Sequence, residues 1–137
     1  MLAWLDQHRE ALWDFTSRIV ATPSPNPPGD ERAVVQVILE EMARFGLEGA
    51  QTAGHEEHRP NVILRLAGKT AGPTLMLCGH TDTKPVGDAS KWNTDPFDPV
   101  IRDGKLYGLG ATDMKGAVAA MIYAAAALKR CDAELAG

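Results

Sequence analysis

Two short polar knots in this chain carry side chains of the kind that hold metal ions. The first closes the apolar run Leu75-Met76-Leu77-Cys78-Gly79 with His80 and, two positions on, Asp82. The second is Gly108-Leu109-Gly110-Ala111-Thr112-Asp113-Met114-Lys115-Gly116. Imidazole nitrogen and carboxylate oxygen suit Zn²⁺ and similar divalent cations. Alternate residues of an extended chain point the same way, so His80 and Asp82 can share one side of a strand end. His80 reads as a ligand through a neutral ring nitrogen. Asp82 either binds the cation or accepts a hydrogen bond from the other ring nitrogen, which fixes tautomer and ring orientation. Asp113 stands just before a helix, where free N–H groups can steady its carboxylate, and its two oxygens could bridge two cations.

The elements that must position these groups follow from periodicity. Residues 2–20 read as a helix with Leu5, Leu12, Phe15 and Ile19 on one face. Pro23, Pro25, Pro27 and Pro28 then forbid regular structure. Asp30 is a candidate N-cap for a second helix to about Phe45, with Gly46 as its C′ residue. A short strand is expected near 47–52, and further strands over 61–66 and 73–78. The last of these is apolar on both faces, as a central strand covered by helices should be. Residues 81–98 form a long loop, a length that usually signals function. Asp103-Gly104 marks a hairpin. The final helix, from about Lys115 to Arg130, is apolar nearly all round, so much of its cover is expected from residues outside this chain. Together these give an α/β fold: a mixed, mostly parallel sheet with helices on both faces and the site at the strand carboxyl ends.

Several other residues are expected to be bystanders. His55 and His58 lack the spacing of a helical zinc motif and lie in a polar loop, so both read as solvated. Cys78 turns to the same side as His80 but reads as a small buried packing residue. Trp92 and Phe97 are expected to pack the long loop down. Lys115 reads as a solvated lysine at a helix start rather than an anchor for an acidic substrate, and His8 as a surface residue.

Composition bounds the function. The chain has 137 residues, enough for one domain with a core, and 45% are hydrophobic and 23% charged, as in ordinary globular proteins. A net charge of −4 gives no sign of a nucleic-acid or membrane-surface partner. The N-terminus lacks a signal peptide's basic region and apolar core, and no apolar stretch is long enough to span a bilayer. Cys78 and Cys131 suggest free thiols in a reducing cytoplasm. Gly108-Leu109-Gly110 fails the dinucleotide fingerprint because Asp113 holds the third glycine position.

The stretches Thr22-Pro23-Ser24, Asn61-Val62-Ile63, Gly79-His80-Thr81-Asp82-Thr83, Asp95-Pro96-Phe97, Asp103-Gly104-Lys105-Leu106-Tyr107-Gly108 and Gly110-Ala111-Thr112-Asp113-Met114-Lys115-Gly116 together carry a resemblance. The chain resembles the acetylornithine deacetylase/succinyl-diaminopimelate desuccinylase family of metallo-amidohydrolases and peptidases, which share a zinc-exopeptidase-like catalytic domain. The resemblance implies that His80 binds one metal, that Asp113 bridges two, and that Asp82 is the catalytic carboxylate tuning His80. It implies two Zn²⁺ ions per complete site, with Co²⁺ or Mn²⁺ as substitutes, and a cis peptide between Asp113 and Met114. The implied reaction is N-deacylation of an N-acyl amino acid, or peptide cleavage, through a water bridging the two cations. Such enzymes carry, further along the chain than the bridging aspartate, a Glu-Glu pair, another acidic ligand and a late histidine, and none of these follows Asp113 here. Residues 1–137 therefore look like the N-terminal part of a catalytic domain, without its lid or dimerisation domain, in a cytoplasmic enzyme that is a homodimer at full length. The competing expectation is a truncated or degenerate relative that keeps the fold without catalysis.

Overall fold

Residues 1–137 are described by a computed structural model. Four helices and two short hairpins follow one another along the chain. They are α1 (Leu2–Gln7), α2 (Arg9–Ala21), α3 (Arg32–Arg44), β1 (Gln51–Ala53), β2 (Asn61–Ile63), β3 (Val100–Arg102), β4 (Lys105–Tyr107) and α4 (Gly116–Arg130). The single N-terminal helix expected over 2–20 is broken at His8, whose backbone sits at φ −103°, ψ 14°. The imidazole is not a free surface group. Its ring stacks on Trp4 at 3.8 Å, and Nδ1 lies 2.8 Å from the Trp4 carbonyl oxygen.

Helix α3 ends as its sequence requires. Gly46 adopts φ +66°, and the N–H groups of Gly46 and Leu47 reach back to the carbonyls of Ala43 and Met42 at 2.9 Å each. This paired closure satisfies carbonyls the helix leaves free and drives Leu47 into the core. Asp30 is not the N-cap residue. Glu31 holds the N-cap position, while Asp30, one residue earlier, accepts the N–H of Arg32, the first helical residue, at 3.2 Å and also pairs with its guanidinium.

The core lies among α2, α3 and α4, where Phe15, Ile19, Val34, Ile38, Val118, Ile122 and Tyr123 interlock. It encloses one acid. Glu41 is buried, yet its carboxylate accepts the Tyr123 hydroxyl at 2.8 Å, Arg44 Nη1 at 2.9 Å and Arg18 Nη2. Three donors offset much of the cost of taking that charge out of water. Inner residues of α4 complete the core, while Ala117, Ala120, Met121, Ala124 and Leu128 form an outer stripe that is exposed or half-exposed.

The fold mixes helix and strand, but every ladder in it is a short antiparallel pair. β1 pairs with β2, in register Thr52 to Val62, and β3 with β4, Ile101 to Leu106. Asp103 and Gly104 turn the second hairpin with positive φ at both positions, as the Asp-Gly pair predicts. Val62, Leu64 and Leu66 alternate inward onto the helical core. The central strand expected over 73–78 forms no ladder, and Leu75, Met76 and Leu77 are 83%, 80% and 56% exposed. A strand inside a parallel sheet needs neighbours on both edges, and these residues have none within the chain.

Tyr123→Phe removes one donor from a buried carboxylate and should destabilise the fold by about 2 kcal/mol in urea unfolding. A change under about 0.5 kcal/mol, the range of surface substitutions, would show that the two arginines suffice.

Candidate metal centre

The site is assembled from three backbone segments pinned together. Ser24 Oγ donates to the Thr81 carbonyl at 2.6 Å. Thr83 N–H donates to the Ser24 carbonyl at 2.9 Å, and Asn26 N–H to the Thr83 carbonyl at 2.8 Å. The proline-rich loop is thereby laced in parallel against residues 81–83. Residues 111–115 form the third segment, an irregular turn leading into α4. Gly110 precedes it at φ +79°, and a Cβ there would lie 2.4 Å from Thr83 Cγ2, so only glycine lets this turn press onto residues 81–83. Lys115 locks the turn from beneath. It is 1% exposed, and its Nζ donates to the Thr22 carbonyl at 2.7 Å. The solvated helix-start lysine expected from sequence is thus an internal strut. Its carbonyl partner lies 93 positions away, which composition could not reveal.

These constraints bring the two polar knots together. His80 Nε2 lies 3.0 Å from Asp113 Oδ1, across 33 positions of sequence. His80 Nδ1 lies 3.0 Å from both the backbone carbonyl and Oδ1 of Asp82. The other Asp82 oxygen accepts Asn26 Nδ2 at 2.8 Å and stands 3.8 Å from Arg59 Nη2. Arg59 also reaches Glu31 at 3.4 Å, and Glu31 accepts the Thr81 hydroxyl. His80, Asp82 and Asp113 line a cleft of about 470 Å³ with Asn26 on its wall. Asp113 caps neither the turn nor α4, and its side chain is 82% exposed toward the open cleft. The peptide between Asp113 and Met114 is cis.

Charge in the cleft is arranged by these contacts. Partial burial alone would lower the pKa of His80, but hydrogen bonds to Asp82 and Asp113 and the charges of both acids raise it. The hydrogen bond from Asn26 leads in holding the Asp82 carboxyl low, against partial burial and with help from His80 and Arg59. The donor set fits a borderline divalent cation: one imidazole nitrogen and one carboxylate oxygen face the same open space. Ordinary zinc bond lengths at tetrahedral angles separate two such donors by about 3.3 Å, close to the spacing seen. No group of three or more His, Cys, Asp or Glu side chains suited to a cation forms within the chain.

The remaining expectations divide. Trp92 anchors the long loop by donating to the Val86 carbonyl at 3.0 Å. His55 is exposed, and His58 lies 3.2 Å from Glu56 with its side chain 44% exposed. Cys78, expected to be buried, is exposed because the run that carries it has no covering layer. Asn26, Glu31, Arg59 and Thr81 were not singled out in the sequence. The only cue to Asn26 was an amide side chain placed within a rigid proline-rich loop.

Residues 76–137 match the family model described as Peptidase family M20/M25/M40. The chain is 38% identical over 111 residues to a succinyl-diaminopimelate desuccinylase of Thioalkalivibrio sulfidiphilus, covering 81% of this chain and 28% of the relative. A Burkholderia pseudomallei protein of the same name is 37% identical over 111 residues, covering 81% and 29%. The fold resembles the di-peptidase Dug1p of Saccharomyces cerevisiae, with a TM-score of 0.76 at 19% identity, over 93% of this chain and 30% of that one. It also resembles human carnosine dipeptidase 1, with a TM-score of 0.73 at 26% identity, over 95% and 30%. The chain spans less than a third of the length of each of these proteins. No helix is long and apolar enough to cross a membrane.

Burial pushes the Lys115 ammonium down to about 8 from 10.5, with Glu31 opposing. Between those values the unfolded chain binds the extra proton, so stability should rise with pH from about 8 to about 10.5. Denaturant unfolding of wild type and Lys115→Met at several pH values checks this. An equal slope in the variant would contradict it.

Proposed function

This chain belongs to Peptidase family M20/M25/M40, and from that premise we propose that it is the N-terminal part of the catalytic domain of a metal-dependent amide hydrolase. The observation that carries the reading is the meeting of His80 Nε2 and Asp113 Oδ1 at 3.0 Å in an open cleft. In this reading His80 is the ligand of one cation and Asp113 is shared by two. Asp82 holds the Nδ1 proton of His80 so that Nε2 presents its lone pair. Two Zn²⁺ ions, replaceable by Co²⁺ or Mn²⁺, would polarise the scissile carbonyl and lower the pKa of a water between them.

The general base and the other ligands are assigned to chain beyond these residues, because the matched residues make up less than a third of each relative. The same additional chain would supply edges for residues 73–78 and cover the outer stripe of α4. That would complete a mostly parallel sheet with helices on both faces, alongside a lid or dimerisation domain. The substrate class is an N-acyl amino acid or a dipeptide, supported by relatives named as desuccinylases and dipeptidases. Two unpaired cysteines support a reducing cytoplasmic setting, and the full-length protein is read as a homodimer.

The test uses the longest reading frame that contains these residues. Elemental analysis should find divalent metal, and hydrolysis of N-succinyl amino acids, N-acetylornithine or dipeptides should depend on it. His80→Ala and Asp113→Ala should each lose metal and turnover, whereas Asp82→Asn should keep the fold and weaken metal affinity about 10–100-fold. Metal content unchanged in both alanine variants would refute the ligand assignment. The 137-residue chain alone should show no turnover, and metal-dependent hydrolysis by it would refute the placing of the base elsewhere.

A further inference from the structure

Asp82 is itself held, and the residue that holds it lies in the proline-rich loop. Asn26 Nδ2 donates to Asp82 Oδ2 at 2.8 Å, which leaves Oδ1 for His80 Nδ1 at 3.0 Å. An ionised carboxylate only accepts, so the amide of Asn26 must turn its nitrogen, not its oxygen, toward Asp82. Arg59 stands farther off at 3.8 Å with its side chain 42% exposed, too open to substitute for that bond.

The loop is built around this amide. The main chain of Asn26 is fixed by its N–H bond to the Thr83 carbonyl at 2.8 Å, one residue past Asp82. Gly29 curls back over the side chain with φ +82°. A Cβ at Gly29 would sit 3.3 Å from Asn26 Cγ and Oδ1 and 3.4 Å from Arg59 Nε. Gly29 N–H closes the turn on the Pro25 carbonyl at 2.8 Å. Backbone on one side and a side-chain-free residue on the other leave the amide little choice of direction.

We propose that Asn26 is a positioning residue of the metal centre: its amide holds one oxygen of Asp82, so that the other fixes the His80 ring with Nε2 turned to Asp113. This rests on the reading of His80 as a ligand. Asn26 touches neither cation nor substrate in this role, and it acts through Asp82.

The test compares wild type, Asn26→Asp and Asn26→Ala in the full-length protein. Aspartate keeps the shape but sets an acceptor against an acceptor, and alanine removes the amide. One readout is Co²⁺ affinity by chelator competition, with the visible spectrum of the bound ion. The other is the ¹⁵N chemical shifts of the His80 ring in metal-free protein at alkaline pH. Wild type should bind Co²⁺ and, without metal, carry its ring proton on Nδ1. Both variants should bind Co²⁺ about tenfold more weakly or worse, with an altered spectrum, and Asn26→Ala should show mixed tautomers. Wild-type affinity and spectrum in both variants would overturn the role of Asn26 and leave the hydrolase reading standing. No Co²⁺ binding by wild type would sink the hydrolase reading, and the ring shifts alone would then decide. An unchanged Nδ1–H ring in Asn26→Ala overturns the proposal, and a mixture of tautomers supports it. Should the alanine variant fail to fold, the isosteric aspartate variant carries the test through the same two readouts.

Discussion

An imidazole can serve a cation only if one nitrogen offers a lone pair in a fixed direction, and the contacts of His80 meet that requirement. A histidine at the end of an extended segment rotates freely about two torsions unless its other nitrogen is tied. His80 Nδ1 is tied by two oxygens of Asp82, both at 3.0 Å. Nε2 then faces Asp113 at the same distance. Precision on the opposite side comes from a different source. Asp113 has an exposed side chain and is placed by its backbone, which Lys115 anchors from below and α4 holds through Val118, Ile122 and Tyr123.

Stability and chemistry therefore occupy different parts of the molecule but share one helix. From Val118 to Ala126, α4 packs a core whose sole buried acid, Glu41, is met by three donors. Its near end carries a turn free of regular helical geometry at Asp113 and Met114. Function placed on loops that a rigid scaffold presents is the common solution. The exposed run Leu75–Leu77 and the outer face of α4 are apolar surfaces of the kind sheets and domains cover.

Much of the site was legible in the sequence because its signals are local. His80 and Asp82 are two apart, and period-two geometry alone predicts that they share a side. The hairpin at Asp103-Gly104 and the closure of α3 at Gly46 follow from residues that tolerate positive φ. What escaped depends on distant contacts. The burial of Lys115 reflects a carbonyl at Thr22, 93 positions away, whereas the break at His8 is a local exception, with the ring stacked on Trp4. Asn26 meets Asp82 across 56 positions. The run 73–78 was read as a central strand from its composition. Composition describes the surroundings a segment suits, whereas a ladder requires partners that these residues do not include.

The most direct measurement is a crystal structure of the full-length protein grown with Zn²⁺, with anomalous data collected on both sides of the zinc edge. A peak within bonding distance of both His80 Nε2 and an Asp113 oxygen, with His80 Nδ1 still on Asp82, is the expected result. Zinc bound at saturating concentration by other residues, with His80 and Asp113 both free of it, would contradict the account.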